Sequence, residues 1–410
     1  MSDYDLIIAG GGLVGASLAA ALRGTGAHVA VVEAVPPGAP GQPSFDERQT
    51  ALAPSSRRLF EALGLWQAIA AEASVIRSIH VSERGGFGFT RMHAEAEGLD
   101  ALGHVVPNRV LGAVLQPALA KASDVDWLAP ARVESVNAPA DGPVRVHVTA
   151  EGEDRTLTGR LLAVADGAES PIRQALGIGL RKRDYGQSAV VANVCAERSP
   201  AGRAFERFTR SGPLALLPAG SGRMALVWTM PHAEATDIAA LDEAPFLAVL
   251  QRRFGWRLGR LQAAGERSVY PLRAVSAERM TAGRAVVLGN AAHTLHPVAG
   301  QGFNLALRDV AELAERVTTT VTADGDCGGP GLLAGYAAAR QNDYRRTFAF
   351  TDLLVHAFSN RLPGLTLGRN AALLGLDLFP GARRYLMHQA MGRAGRQPRL
   401  ARGLPLVESP

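Results

Sequence analysis

The sequence predicts an α/β protein with three parts: a parallel sheet opened by a βαβ unit, an antiparallel sheet inserted between its strands, and a helical C-terminal region. Three observations carry this. A strand–turn–helix–strand order fills Tyr4 to Glu33; strand-like apolar runs return far downstream at Arg160 to Ala165 and Arg284 to Leu288; and between them the apolar pattern switches to alternation.

Taken in order, Tyr4 to Ala9 (YDLIIA) is short, apolar and rich in β-branched residues, and it breaks at Gly10-Gly11-Gly12. Leu13 to Arg23 carries Ala and Leu at helical density, and His28 to Glu33 (HVAVVE) reads as a second buried strand. Strands joined through a helix pair in parallel. Pro36 to Pro43 is a Pro/Gly-rich loop, and Ala53 to Ala71 has a helical pattern. Ala189 to Cys195, Ala204 to Leu217 and Arg223 to Met230 favour alternation, which places Met224, Leu226, Trp228 and Met230 on one face. Helical patterns run from Gln301 to Val317 and again from Leu332 onward.

Composition narrows the class. The chain has 410 residues, 47% hydrophobic and 20% charged, which excludes a disordered or fibrous protein and allows two cooperating domains. Cys195 and Cys327 are its two cysteines, too few for a disulfide scaffold or a cysteine zinc cluster. The net charge of +5 is mostly local: eleven arginines against four acids give residues 331–410 a charge of +7, leaving −2 for the rest. Lys121 and Lys182 are the only lysines. Asp3 and Asp5 stand where a secretory signal would be basic, and no run of about 18 apolar residues exists to span a bilayer. A cytoplasmic protein is expected, with a peripheral position on the inner face of the plasma membrane left open.

Gly10-Gly11-Gly12-Leu13-Val14-Gly15 fits GxGxxG between a strand and a helix, and Glu33 closes the next strand. Gly10 permits a tight turn, Gly12 lets backbone N–H groups approach a pyrophosphate, and Gly15 allows close helix–strand packing. Glu33 can accept hydrogen bonds from both hydroxyls of an adenosine ribose. This is a dinucleotide site. Downstream, Asp166-Gly167-Ala168-Glu169-Ser170-Pro171-Ile172-Arg173 fits DGxxSxxR, and Gly289-Asn290-Ala291-Ala292-His293 resembles a GDAAH segment after a strand.

Together these motifs resemble the flavoprotein aromatic hydroxylases of the p-hydroxybenzoate hydroxylase fold, which selects FAD. Asp46-Glu47-Arg48-Gln49-Thr50-Ala51-Leu52 and the segment from Gly289 through His296-Pro297-Val298-Ala299-Gly300-Gln301-Gly302-Phe303-Asn304-Leu305 resemble the ubiquinone-biosynthesis hydroxylases. Asn290 replaces the family's usual acid, a variant similar to the branch acting on 2-octaprenyl-6-methoxyphenol (UbiH type). The resemblance covers residues 4–400.

The resemblance implies that Glu33 holds the adenosine ribose and that Arg48 and Arg109 lie along the ribityl-pyrophosphate region. It also puts Asp166 near the cofactor and the nicotinamide path, with Gly289, Asn290, Gly302 and Asn304 among the cofactor contacts. The loop His296, Pro297, Gly300, Gln301, Gly302 is expected to face the flavin. Its glycines allow close approach, and the following helix directs its positive end at the charge of reduced flavin. No protein nucleophile or base is assignable from sequence. The expected reaction is ring hydroxylation of a polyprenyl phenol by O₂ and NAD(P)H through a flavin C4a-hydroperoxide. The alternatives are hydroxylation of a small soluble phenol, and a flavin-bound scaffold of a quinone-synthesis complex.

The domain division that follows assigns 1–75, 100–180 and 265–330 to FAD and 76–99 and 181–264 to a substrate-binding β-sheet domain. It leaves 331–410 as a helical, basic region, in which Arg361, Arg369, Arg383, Arg384, Arg393, Arg396, Arg399 and Arg402 interleave with leucines. That region suits anionic lipid or a partner protein of a quinone-synthesis complex, and nucleic acid is not expected. Other candidates have ordinary readings: His293 and His296 lack further metal ligands, Ser170 suits a helix cap, and Cys195 suits packing. Met224 and Trp228 are either core or substrate contacts. Asp46 to Arg48 is either a site or a solvated charge cluster.

Overall fold

The computed structural model describes residues 2–36, 38–39, 46–295, 300–359, 363–392 and 395–407, excluding the side chains of 354–367, 380, 385, 389 and 390. Its first sheet has eight strands, with Tyr4–Ala9 at the centre between Val29–Val32 and Glu153–Val164. Both pairings are parallel, as are Glu153–Val164 with Ala285–Val287 and Val29–Val32 with Val125–Leu128. The expected βαβ unit and both expected downstream strands therefore share one sheet. Leu6, Ile7, Ile8, Val29, Val31, Leu161, Leu162, Val286 and Val287 are fully buried, which is why these strands read as continuous apolar runs rather than alternating ones.

The second sheet has nine strands, from His293–Thr294 at one edge to Phe89–His93 at the other. The long strand Leu180–Ala196 pairs antiparallel with Arg223–Pro231 and with Ser268–Ala277. The division drawn at residue 265 therefore puts Ser268–Ala277 on the wrong side. The expected strand Ala204 to Leu217 is two, Arg203–Thr209 and Gly212–Ala219, paired as a hairpin. Met224, Leu226, Trp228 and Met230 do share a face. Helices His232–Ala239 and Glu243–Phe254 cover it, and Trp228 lies 6.3 Å from Phe246 between ring centroids. That stripe is core, and substrate contact is excluded for it.

A third, three-stranded sheet was not expected: Gln49–Leu52 and Ser74–Ile76 each pair antiparallel with Gly103–Pro107. It packs against strand Gly212–Ala219, and its Leu52 and Val106 join the apolar core of the eight-stranded sheet. The expected helix over Ala53 to Ala71 is broken into Pro54–Ala62 and Trp66–Ala70, with Gly64 in the left-handed region at φ +71°. Helices Gln301–Thr322, Pro330–Ser359, Pro363–Leu378 and Pro380–Ala390 follow.

Candidate active site

The glycine turn and its acid form one unit. Gly10 has φ +101°, and a Cβ there would lie 2.5 Å from the Ala165 carbonyl oxygen; a Cβ on Gly15 would overlap the Gly10 carbonyl. Helix Leu13–Leu22 starts at Gly12 with no side-chain cap and no acid in its first turn, so its N–H groups and positive end are open to an anion. The Glu33 carboxylate accepts from Gly11 N at 2.6 Å and from Val35 N at 2.9 Å. Each oxygen is fixed and keeps a lone pair for a ribose hydroxyl.

Asp166 follows strand Glu153–Val164 beside that turn. Its Oδ2 accepts weakly from Ile172 N at 3.4 Å, and its Oδ1 is buried with no partner among the described residues. Burial raises its pKa, against the lowering effect of hydrogen bonds from Ser170 and backbone N–H groups. Ser170 is a helix cap, accepting from Arg173 N at 2.9 Å. Arg173, 2% exposed, donates to the Ala168 and Ala291 carbonyls at 3.0 Å each and ties the Asp166 loop to the segment after Ala285–Val287.

In that segment Gly289 N donates to Asp309 Oδ2 at 3.3 Å, while Asn290 is exposed at the strand's end. His293 Nε2 donates to the same Oδ2 at 3.0 Å, Tyr344 donates to it at 2.8 Å, and Arg340 Nε donates to Oδ1 at 2.7 Å. Burial opposes the Asp309 charge, but Arg340 and His293 outweigh it and hold its pKa below the usual range. Sequence reasoning missed this cluster. A signal was present: Asp309 lies four residues from Leu305 and from Leu313, on the apolar face of its helix. Among the described residues no group of acids, histidines or cysteines could hold a metal.

Helix Gln301–Thr322 also begins uncapped, at Gly300, with no acid in its first turn. A Cβ on Gly300 would lie 3.3 Å from the Ala51 Cβ of the third sheet, and a Cβ on Gly302 would meet none of the described residues beyond its own chain neighbours and helix backbone within 4 Å. Gln301 is 3% exposed; His296, Pro297, Val298 and Ala299 lie outside the described residues.

Two residues expected at the cofactor, Asn304 and Arg109, have protein partners in this structure. Asn304 Oδ1 accepts from Ala53 N and Ser56 Oγ, both at 2.7 Å, and its Nδ2 donates to Ala51 O at 2.8 Å and Gly300 O at 2.7 Å. All four positions of the amide are used, so its side chain clamps the helix start to the third sheet and has none left for a ligand. Arg109 is held by Glu47 and Glu72, each at 2.8 Å, because strand pairing brings those acids to it. Its positive charge is already neutralised. Arg48 pairs with Asp46 at 2.5 Å and lies 5.8 Å from the Tyr270 ring centroid. It bridges the third sheet to the second, more than a solvated cluster would.

The sequence matches the FAD binding domain family over residues 3–351. It is 39% identical over 406 residues, 98% of this chain and 93% of the relative, to the ubiquinone hydroxylase UbiL of Rhodospirillum rubrum. The chain belongs to the FAD-dependent ubiquinone hydroxylases. The 3-demethoxyubiquinol 3-hydroxylase of Escherichia coli is similar to this hydroxylase at 30% identity, over 95% of this chain and 98% of that one. The p-nitrophenol 4-monooxygenase of Pseudomonas putida superposes with a TM-score of 0.80 over 97% of this chain and all of that one; at 19% identity it reports on the fold alone.

FAD fits the residues present in this hydroxylase. The orphaned Asp166 Oδ1, the two uncapped helix starts and the open space over Gly302 together ask for a ligand that is both polar and extended. Glu33→Ala is expected to weaken FAD by roughly 1.5–3 kcal/mol, the value of a hydrogen bond to a charged group. Flavin fluorescence titration of the apoprotein checks this, and unchanged affinity would remove Glu33 from the site.

Proposed function

We propose that this protein hydroxylates the aromatic ring of a polyprenyl phenol in ubiquinone biosynthesis, using FAD, NAD(P)H and O₂. The observation that carries the reading is likeness to a ubiquinone hydroxylase along 98% of the chain. Bound FAD, reduced by NAD(P)H, supplies the activation of O₂ that a closed-shell phenol cannot perform. The chain's own residues do the rest. Glu33 and the start of helix Leu13–Leu22 hold the adenosine and pyrophosphate end, and Asp166 takes a ligand donor through its unpaired oxygen. The start of helix Gln301–Thr322 favours negative charge on the ring system.

The eight-stranded sheet is assigned to FAD and the nine-stranded sheet, including Ser268–Ala277, to substrate. Asn290 in place of an acid supports the branch acting on 2-octaprenyl-6-methoxyphenol. Deleting the gene and profiling quinone intermediates tests this: the accumulated precursor names the missing hydroxylation, and normal quinone content overturns the reading.

A prenyl tail ties the substrate to a membrane, yet no helix among the described residues is long and apolar enough to cross one. A surface contact is the remaining route. Leu378 and Phe379 are 68% and 67% exposed, Phe87 is 62% exposed, and Arg383 lies one helical turn after Phe379. The arginine count alone overstates the basic surface, because Arg369 pairs with Glu83 at 2.6 Å and Arg384 with Glu97 at 3.6 Å. The double change Leu378→Ser with Phe379→Ser is expected to reduce flotation with anionic liposomes severalfold while flavin content stays normal. Unchanged flotation counts against this surface.

A further inference from the structure

Strand Arg203–Thr209 presents two faces with different fates. Phe205 points into the helix-covered core with Leu214, Leu216 and Trp228. Ala204 and Phe208 point the other way, into a cluster with Val105 and Ile76 of the third sheet and Leu373 of helix Pro363–Leu378. Glu206 lies between Ala204 and Phe208 in the strand and therefore shares their face. Its ladder partner is Ala215, which pairs with Val227, which pairs with Val191. These four form one row across the sheet, and all four are half-buried, whereas Val190, Leu214 and Trp228 on the covered face are fully buried. The half-buried part of the row is an apolar strip that reaches one carboxyl group, beyond which the ladder continues into buried Val81 and Thr90.

That strip belongs to the flavin side of the molecule. Val105 of the adjoining cluster is the ladder partner of Ala51, and the Asn304 amide ties the Ala51 carbonyl to the Gly300 carbonyl at the start of helix Gln301–Thr322. The carboxyl group itself has no hydrogen bond or ion pair among the described residues. Charges on the neighbouring elements are directed elsewhere. Arg207 donates to Arg253 O and Ser82 Oγ on the opposite face, and His80 stacks there against Phe89 and packs on Phe205. Glu83 is paired with Arg369, and on helix Pro330–Ser359 Asp343 is paired with Arg308 and Arg340 and Asp352 with Arg183. Burial alone pushes the Glu206 carboxyl up to about 7.

An unpartnered acid in an apolar strip is costly unless a ligand uses it. We propose that Glu206 receives the substrate's phenol hydroxyl and takes its proton, with the ring and prenyl chain lying along Val191, Val227 and Ala215. The proton passes from the phenol oxygen to a Glu206 oxygen, the O–H bonding pair stays on the phenol oxygen, and the ring becomes richer in electrons at the carbon to be hydroxylated. Once the oxygen has been transferred, the hydroxylated carbon loses its own hydrogen to solvent as a proton, the C–H pair restores the aromatic ring and puts charge back on the phenol oxygen, and the neutral acid returns its proton there. A carboxyl with a near-neutral pKa is closer to a phenol's value of about 10 than an ordinary glutamate at about 4.3, which makes it the better base for this transfer. The inference rests on the proposed phenolic substrate.

The test uses FAD-loaded wild type, Glu206→Gln and Glu206→Asp with a methoxyphenol bearing a short prenyl chain. The wild type is expected to show the ultraviolet phenolate band of the bound probe at neutral pH, and Glu206→Gln to bind the probe without it. Product formation should fall on the order of hundredfold in Glu206→Gln, the usual worth of a general base, with NAD(P)H oxidation diverted to hydrogen peroxide. Its remaining rate should rise with pH toward the phenol's own ionisation, and Glu206→Asp should recover part of the loss. Normal flavin content in both variants separates this from misfolding. A phenolate band in wild type without turnover sinks the proposed reaction and leaves the base in place. Equal bands and rates within twofold in wild type and Glu206→Gln overturn the base.

Discussion

Asp309→Ala is expected to cost about 3–5 kcal/mol of stability, a large part of the roughly 5–15 kcal/mol that holds a protein folded. The reason is what the change leaves behind. Arg340 is 4% exposed and would keep one ion pair among the described residues, with Asp343 at 2.7 Å, and its place over the Tyr344 ring at 5.3 Å. His293 and Tyr344, packed edge-to-face at 4.8 Å, would both lose their buried acceptor, and Gly289 N would lose its partner. Removing one member of a buried charge cluster costs more than the pair was worth, because the other charge stays desolvated. Because Gly289 and Ala291 flank the Asn290 turn, which belongs to the proposed cofactor site, flavin should be lost at lower denaturant than global unfolding.

The sign of the pH dependence follows from the depressed Asp309 pKa. A carboxyl held below its unfolded value stabilises the fold at every pH above the ordinary carboxylate range, and that contribution disappears as pH falls through the folded pKa. Wild type should therefore lose stability steeply only below about pH 4. In Asp309→Ala the acid limb should be shallower from a lower plateau. Denaturant titrations of the apoprotein between pH 3 and 7 check both statements, and a variant within 1 kcal/mol of wild type would show that the cluster is not structural.

What the sequence could reveal depended on how local its cause was. The parallel strands were legible because both faces of each are buried, so Leu6 to Ala9 and Val29 to Val32 are apolar throughout. The third sheet was not, since Ser74–Ile76 has three residues and no period to detect; only its pairing with Gly103–Pro107 makes it a strand. Ser268–Ala277 contains Pro271, which weakens a strand pattern. Gly15 and Glu33 were readable as one local unit because their neighbours Gly10, Gly11 and Val35 lie within or beside the same βαβ unit, whereas the crowding of Gly10 by Ala165 was not. The role of Arg109 was not, because strand pairing and the loop before Ser74 bring Glu47 and Glu72 to it. Glu206 needed cross-strand register: in the sequence it is one polar residue in Phe205-Glu206-Arg207-Phe208, and only the ladder through Ala215, Val227 and Val191 shows which space it enters.

Gly10→Ala is expected to give a folded but colourless protein, with FAD affinity down at least hundredfold. Two costs coincide at this position. At φ +101° a side chain is strained by about 1–3 kcal/mol, and its Cβ would sit 2.5 Å from the Ala165 oxygen and 2.8 Å from the Ala165 carbonyl carbon. Neither backbone can move away freely, since Gly10 N donates to Val32 O at 2.9 Å and Ala165 N to Ala9 O at 2.8 Å. The strain is relieved only by displacing the glycine turn or Asp166, and both belong to the proposed cofactor site. Gly302→Ala is the informative contrast. A Cβ there meets none of the described residues beyond its own chain neighbours and helix backbone within 4 Å, so the apoprotein should melt as wild type does while flavin affinity falls. Loss of flavin in both variants, with apoprotein stability lowered only in Gly10→Ala, separates a glycine required by the chain from one required by its ligand. Full flavin binding by Gly302→Ala would mean that the open space over that residue is not where the ring system lies.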